Sequence, residues 1–273
     1  MDPKVLETCL NQVKEQSPLT LCITNQVTIN DCANGLLAIG ASPVMSDDPS
    51  DAETLAGLAA ATVLNIGTIN EFKLRVSLAA GRGARAAGKP VILDPVGVGA
   101  SETRRNAAGK IIVEIKPDII RGNLSEIKAL AGLTAAQKGV DSAEEGDIPA
   151  MAEVASSLAK NLGAVVAVTG PTDVLADKTG TVSTVSGGSP LLTRITGAGC
   201  MLSALTGGYA GAAPGNPAGA AAAALSHMAL AGMLAAADIA SPAHLGTFRV
   251  KLFDRLSMIS AGDLGAFQGV AGL

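Results

Sequence analysis

Between Leu19 and Val168, short apolar runs alternate with longer stretches of helical patterning. The runs are Leu19–Thr24, Val44–Met45, Thr62–Ile66, Pro90–Leu93, Asp118–Ile120 and Ala164–Val168, largely β-branched and bounded by Gly, Pro or Asp. The helical pattern falls on Thr28–Ile39, Asp51–Ala60, Asn70–Ala87, Glu102–Ile115, Asn123–Ala131 and Ile148–Asn161. Strands without polar alternation are buried on both faces, and parallel strands need a crossover, usually a helix, between them. The alternation therefore predicts an α/β fold with a mainly parallel central sheet and helices on both faces.

After Val168 the order changes. Asp173–Ala176 and Thr181–Ser186 read as a hairpin around Lys178-Thr179-Gly180, extending the sheet antiparallel at one edge. Three helices are then predicted: Gly199–Tyr209, Ala218–Ala240 and His244–Ser260, the first two separated by Pro214-Gly215-Asn216-Pro217. No repeat or linker interrupts the pattern, so residues 1–273 read as one domain.

The packing must rely on small side chains, because the chain has no Trp, one Tyr (Tyr209) and four Phe while 48% of it is apolar. A net charge of −4 without a basic block argues against nucleic-acid binding. Cys9, Cys22, Cys32 and Cys200 form no C-x-x-C pair, which favours free thiols in a reducing cytoplasm. The start, Met1-Asp2-Pro3-Lys4, lacks the charged-then-apolar pattern of a signal peptide. Ala218–Ala240 is long enough to span a bilayer at about 20 residues. It is mainly Ala, carries His227 and Asp238, and has no aromatic belt, so it reads as a buried helix with no membrane partner.

In open parallel sheets, ligands sit beyond the C-terminal ends of the strands. There the sequence places Asp94-Pro95-Val96-Gly97, Arg121-Gly122-Asn123 with Glu126, and Thr169-Gly170. Thr196-Gly197-Ala198-Gly199-Cys200 opens an apolar helix. Two glycines and a helix N-terminus together bare backbone N–H groups, suited to a phosphoryl group in transfer. The same loop equally reads as a turn that merely starts a helix. No P-loop and no dinucleotide fingerprint at the first helix is present. Asn123 and Glu126 have the spacing of a capping pair, and Glu126 is also a candidate Mg²⁺ ligand. Asp94 either ends a strand or holds a metal that bridges ATP phosphates. Arg121 is a surface ion pair or a bidentate phosphate partner. Met45 is core packing or the wall of an aromatic ligand pocket, and His227 reads as a hydrogen-bonded core residue.

With these segments on the page, the sequence resembles the hydroxyethylthiazole kinases, members of the ribokinase-like superfamily. The resemblance runs from about Pro18 to Leu256. It rests on Thr24–Asn34, Gly40–Met45, Asn65–Asn70, Asp94–Gly97, Arg121–Asn123 and Thr196–Cys200. It implies a ribokinase-like fold without a separate lid domain, and ATP- and Mg²⁺-dependent phosphorylation of 4-methyl-5-(2-hydroxyethyl)thiazole in thiamine salvage. By match, Met45 and Gly197 contact the thiazole, with Asn25, Val27, Gly67 and Thr68 lining that pocket. Arg121 and Thr169 meet ATP, and Asp94 and Glu126 hold the metal. Cys200 stands where most ribokinase-like enzymes carry an Asp base, beside the catalytic turn of Gly197 and Gly199. The resemblance also implies a cytoplasmic homotrimer with active sites at subunit boundaries. Two departures from the family pattern stand out: the segment Pro171-Thr172-Asp173 after Thr169-Gly170, and Ile69 where Leu is usual. The rivals within the fold are hydroxymethylpyrimidine or pyridoxal kinases, which an Asp at position 200 would favour, and ADP-dependent repair lyases, which are expected to keep an acid after the Gly-Ala-Gly turn. Outside it stands a membrane or assembly component built on the Ala-rich helix.

Overall fold

The computed structural model describes residues 2–133 and 147–272. The chain opens with α1 (Pro3–Gln16), β1 (Leu19–Ile23), α2 (Ile29–Ile39), β2 (Ser42–Val44), α3 (Pro49–Leu58), β3 (Ala61–Asn65), α4 (Glu71–Ala86) and β4 (Val91–Asp94). It continues with α5 (Glu102–Ile115), β5 (Ile119–Asn123), α6 (Leu124–Leu133), α7 (Ile148–Leu162), β6 (Val165–Thr169), β7 (Thr172–Ala176) and β8 (Val182–Ser186). It ends with α8 (Ala198–Ala212), α9 (Pro217–Ala237), α10 (Leu245–Met258), α11 (Ala261–Gly265) and β9 (Val270–Gly272). The nine strands form one sheet in the order β2-β1-β3-β4-β5-β6-β7-β8-β9. The pairs from β2 through β6 are parallel, and those from β6 onward are antiparallel.

Successive strand residues serve opposite faces, and the two cores divide accordingly. Cys22, Val63, Ile92, Ile119 and Val165 face a layer built from α1, α2 and α8–α11. Leu21, Leu64, Leu93, Ile120 and Val166 face α3–α7. This is the mainly parallel sheet with helices on both faces that the alternation predicts, extended by the predicted hairpin. The hairpin turn is held by the Asp177 carboxylate, which accepts from the N–H groups of Thr179 and Thr181 at 2.8 and 3.0 Å.

Several elements differ from expectation. Helix α1, α11 and the edge strand β9 have no counterpart in the predicted set. Strand β2 is Ser42–Val44 rather than Val44–Met45, which leaves Met45 just past its end. Strand β5 runs on to Asn123, so Arg121 and Asn123 lie within the sheet, opposite Ala167 and Thr169 of β6. The long apolar run of β6 offers five ladder partners, and these override the weak strand propensity of Gly122 and Asn123.

Helix α9 is long and apolar enough to cross a membrane, yet it is mostly buried inside the protein, packed against α1, α8 and α10. Small residues permit this: a Cβ on Gly207 of α8 would meet Val63 Cγ2 at 2.4 Å, so that helix lies almost on the sheet. His227 is wholly buried, as the reading of a core residue requires. Its Nε2 lies 3.0 Å from the Leu256 carbonyl, which can only accept, so Nε2 carries the proton. Nδ1 then accepts the Tyr209 hydroxyl at 2.6 Å. Burial holds the imidazole down at a pKa of about 4, neutral in this bonded state.

Candidate active site

The C-terminal ends of β1, β3, β4, β5 and β6 form one rim, and each delivers polar groups to it: Thr24 and Asn25, Asn65, Asp94, Arg121 with Asn123, and Thr169. Helix α8 arrives from the first face with its N-terminus beside them. Its N-cap, Gly197, has φ +89° and supplies no side-chain cap. A left-handed conformation suits glycine, and a Cβ there would also meet Thr28 Cγ2 at 2.9 Å. Gly199 lies under the Arg121 guanidinium, whose Nη1 would stand 2.9 Å from an added Cβ. The uncapped first turn and the arginine together present backbone N–H groups and a fixed positive charge.

Asp94 is completely buried. Its Oδ2 accepts from Asn65 Nδ2 at 2.7 Å and Ser203 Oγ at 2.8 Å, and stands 4.0 Å from Arg121 Nη1. Its Oδ1 is buried without a hydrogen-bond partner. Burial pushes the carboxyl up to a pKa of about 6, opposed by Arg121, reinforced by Glu126, and opposed by the Ser203 and Asn65 bonds. Arg121 donates from Nη2 to Thr169 Oγ1 at 2.7 Å, and its Nε is buried and unpartnered. Thr169 donates in turn to the Gly122 carbonyl.

Glu126 realises the capping geometry. Its Oε2 accepts from Asn123 N at 2.8 Å, and its own N–H donates to Asn123 Oδ1 at 2.9 Å. Its Oε1 accepts from Gly97 N at 2.8 Å, which ties the loop after β4 to α6. Both carboxylate oxygens thus already take a backbone donor, and each keeps a further lone pair. Arg104 supports the same loop through the Val96 carbonyl at 2.5 Å.

On the other side of the Gly197 turn, Cys200 is half-buried, and its Sγ accepts from Asn25 Nδ2 at 3.2 Å. The other three thiols are buried, and burial raises the pKa of each; Cys9 reaches about 11 and Cys32 about 12. Gly67 packs against Asn25 and Asn65, where a Cβ would come within 2.9 Å of either amide. Thr68 is exposed with φ +51°, and Met45 is half-buried at the end of β2. Val27 is 65% exposed. Asn25, Gly67 and Cys200 thus come together around the turn. Arg121, Thr169, Asp94 and Glu126 lie further along the rim, and Val27 and Thr68 stand at its outer edge. In the departing segment, Pro171 lies in the bend between β6 and β7 while Thr172 and Asp173 open β7, and Asp173 Oδ1 accepts from Gly170 N at 2.9 Å.

Three polar residues join this cluster that the sequence analysis does not place in the site. Asn65 and Ser203 hold Asp94. Asp31, paired with Arg249, has its Oδ2 3.5 Å from the place of a Gly197 Cβ. Asn65 ends β3 in register with Asp94, and Ser203 sits three residues after Cys200 on the same helix.

A parallel sheet whose rim sets a buried carboxylate and an arginine against an uncapped Gly-rich helix start is the arrangement expected of the ribokinase-like class, and its bared N–H groups suit a phosphoryl group in transfer. Comparisons with known proteins agree and go further. The model of the hydroxyethylthiazole kinase family matches residues 10–262. A hydroxyethylthiazole kinase of Clostridium beijerinckii is 41% identical over 92% of this chain and 91% of its own length. The solved structure of a hydroxyethylthiazole kinase protein from Pyrococcus horikoshii superposes with a TM-score of 0.88 at 34% identity, covering 99% of each chain. An ADP/ATP-dependent NAD(P)H-hydrate dehydratase from Bacillus subtilis shares the fold alone, with a TM-score of 0.52 at 14% identity over 89% of this chain and 91% of that one. The chain belongs to the hydroxyethylthiazole kinase family.

Proposed function

We infer that this family member transfers the terminal phosphoryl group of ATP to the hydroxyl of 4-methyl-5-(2-hydroxyethyl)thiazole, in thiamine salvage. The supporting observation is the turn Gly197–Gly199: the Arg121 guanidinium packs over Gly199 with Asp94 4.0 Å away, and Cys200, the next residue, takes a hydrogen bond from Asn25. A phosphoryl group held at the turn would lie within reach of Arg121 and of the Cys200–Asn25 pair, which this reading takes as its nucleotide and alcohol partners. In this assignment Arg121 and Thr169 bind ATP phosphates. Met45, Gly197, Asn25, Val27, Gly67 and Thr68 enclose the thiazole. Catalysis of this kind is mainly positioning and charge stabilisation, which the α8 N-terminus and Arg121 supply.

Among the described residues no cluster of three or more His, Cys, Asp or Glu is placed to hold a metal. Mg²⁺ in phosphoryl-transfer sites takes one or two carboxylates and fills the remaining positions with water and phosphate oxygens. Asp94 fits that demand, because its Oδ1 is an ionisable oxygen left without a partner. Glu126 would join through its unused lone pairs, directly or by way of water. When bound, Mg²⁺ would neutralise charge on the transferring phosphates. We assign the chain to the cytoplasm as a single kinase domain. The direct test is ATP consumption by the purified protein with hydroxyethylthiazole and, separately, with hydroxymethylpyrimidine. Turnover with the pyrimidine alone would refute the assignment.

Cys200 is proposed to lie beside the substrate hydroxyl and to receive its proton or simply to orient it. Asn25 donates to the sulfur, so the site already favours an acceptor there. Cys200→Ala should lose at most ~10²–10⁴-fold in turnover, the usual range for general-base catalysis. Cys200→Asp should stay active, since a carboxylate can accept the same Asn25 donor. Complete inactivity of both folded variants, or a trapped phosphocysteine, would contradict this role.

We further propose a homotrimer with the alcohol pocket completed by a second copy. Val27 carries the support: a residue assigned to a pocket wall stands 65% exposed on the single chain. Light scattering should report a trimer; a fully active monomer would remove the proposal.

A further inference from the structure

We propose that Asn65 is a positioning residue that couples the alcohol side of the site to the metal and phosphate side. This rests on the functional reading above, and it concerns a residue to which that reading gives no role. Only 4% of the residue is exposed. Every one of its polar atoms is committed. Nδ2 donates to Asp94 Oδ2 at 2.7 Å, and Oδ1 accepts from Gly67 N at 2.9 Å and Asn25 Nδ2 at 3.3 Å.

The direction of each amide is fixed by its partners. Gly67 N–H and Val27 N–H can only donate, so the Asn65 and Asn25 oxygens face them, the latter at 3.1 Å. The Nδ2 of Asn65 must then face Asp94, and the Nδ2 of Asn25 must face Asn65 and Cys200. A single oriented chain of hydrogen bonds therefore joins Cys200 to Asp94 through two amides, and Asn65 is its middle link. Asp94 Oδ2 is saturated by Asn65 and Ser203, which leaves Oδ1 as the oxygen free to meet a cation. Gly67, held by the other end of Asn65, belongs to the pocket assigned to the alcohol. A ligand that moves or charges one end changes the hydrogen-bond demand at the other.

Ser203 provides the internal control. It donates to the same Asp94 oxygen at 2.8 Å, and its one described side-chain hydrogen bond ends there. Loss of Ser203 should therefore alter the metal side alone, whereas loss of Asn65 should uncouple the two sides.

The test is equilibrium binding to the intact protein by calorimetry. MgADP and hydroxyethylthiazole are titrated separately and then each in the presence of the other. The parent protein should bind each probe at least roughly fivefold tighter when the other is present, the lower end of ordinary coupling between sites. Asn65→Ala should abolish that enhancement, and Ser203→Ala should retain it while weakening MgADP alone. A merely structural Asn65 would weaken both probes in its variant and leave the enhancement intact, which would overturn the proposal. Parent protein that binds both probes without enhancement would overturn it as well. Failure of the parent to bind either probe would instead refute the functional reading on which the proposal stands. If Asn65→Ala does not fold, Asn65→Ser, whose single hydroxyl stops one bond short of the amide atoms and cannot bridge Gly67 and Asp94 together, is measured in the same way and should show a reduced enhancement.

Discussion

Asp94→Asn should lower turnover by about 10²–10³-fold, the effect of losing one preorganised electrostatic group, and should leave the protein at least as stable as its parent above pH 6. The amide oxygen can take the place of Oδ2 and keep the Asn65 and Ser203 donors. The amide NH₂ then replaces Oδ1 and presents hydrogens where an unpartnered oxygen stands now. Function loses a charge and an acceptor together, while the fold sheds a buried charge. Burial raises this carboxyl from 3.8 to about 6, so the folded protein holds the proton more readily than the unfolded chain. Its contribution to stability is therefore full below pH 3.8, falls as the pH rises through about 6, and stays lost above that. A shift of that size corresponds to on the order of 3 kcal/mol, an upper limit on the gain from Asn because the bonds to a neutral oxygen are weaker. Urea unfolding at pH 5 and pH 8 without Mg²⁺, beside a turnover assay, checks both halves. A variant within tenfold of parental turnover, or one markedly less stable at pH 8, would contradict the account.

That a buried acid sits at this rim was legible from the sequence, because parallel strands announce themselves as apolar runs and the polar residue ending each one must lie at the ligand-binding edge. The same logic extended to Asn65 would have found it: it ends β3 as Asp94 ends β4, and the two are paired in register. Amides attract less notice than acids in a sequence, since they carry no charge and ordinarily cap or turn. Ser203 gives weaker warning. Its distance from Asp94 depends on how α8 crosses the sheet, and that crossing is set by glycines whose close approach becomes visible only in three dimensions.

Helix α1 carries clear signals in the sequence. Asp2 caps it, Pro3 stands in its first turn, and Leu6, Cys9, Leu10 and Val13 recur at helical spacing and are all buried. Strand β9 is the opposite case. Its three residues, Val270–Gly272, carry no pattern, and they are a strand because β8 offers an open edge. Strand β5 shows tertiary pairing overriding propensity, since Gly122 and Asn123 extend only because β6 lies opposite them. Glu126 shows a different limit. Capping and metal binding ask for the same residue at the same spacing, and the capping bonds are made without excluding the second role.

The two glycines of the α8 start should respond differently to the same added methyl group. Gly197 adopts φ +89°, so Gly197→Ala meets backbone strain as well as Thr28 at 2.9 Å, and it should lose stability by roughly 1–2 kcal/mol together with activity. Gly199 has no positive φ and is the second residue of α8, where Ala meets no backbone strain and is favoured over Gly by less than the about 1 kcal/mol of a helix interior. The obstacle to Gly199→Ala is the Arg121 guanidinium, at 2.9 and 3.3 Å from the new carbon through Nη1 and Nη2. Arg121 can give way, but only by leaving Thr169 Oγ1 and its station near Asp94. The expected result is a folded protein with an unchanged or raised melting temperature, a higher KM for ATP and ~10²-fold lower kcat, as for removal of one charge-stabilising group. Thermal unfolding and an ATP titration separate the two glycines: Gly197→Ala moves both readouts, Gly199→Ala only the second. Parental ATP kinetics in Gly199→Ala would mean that Arg121 does not act from the position it occupies over this turn.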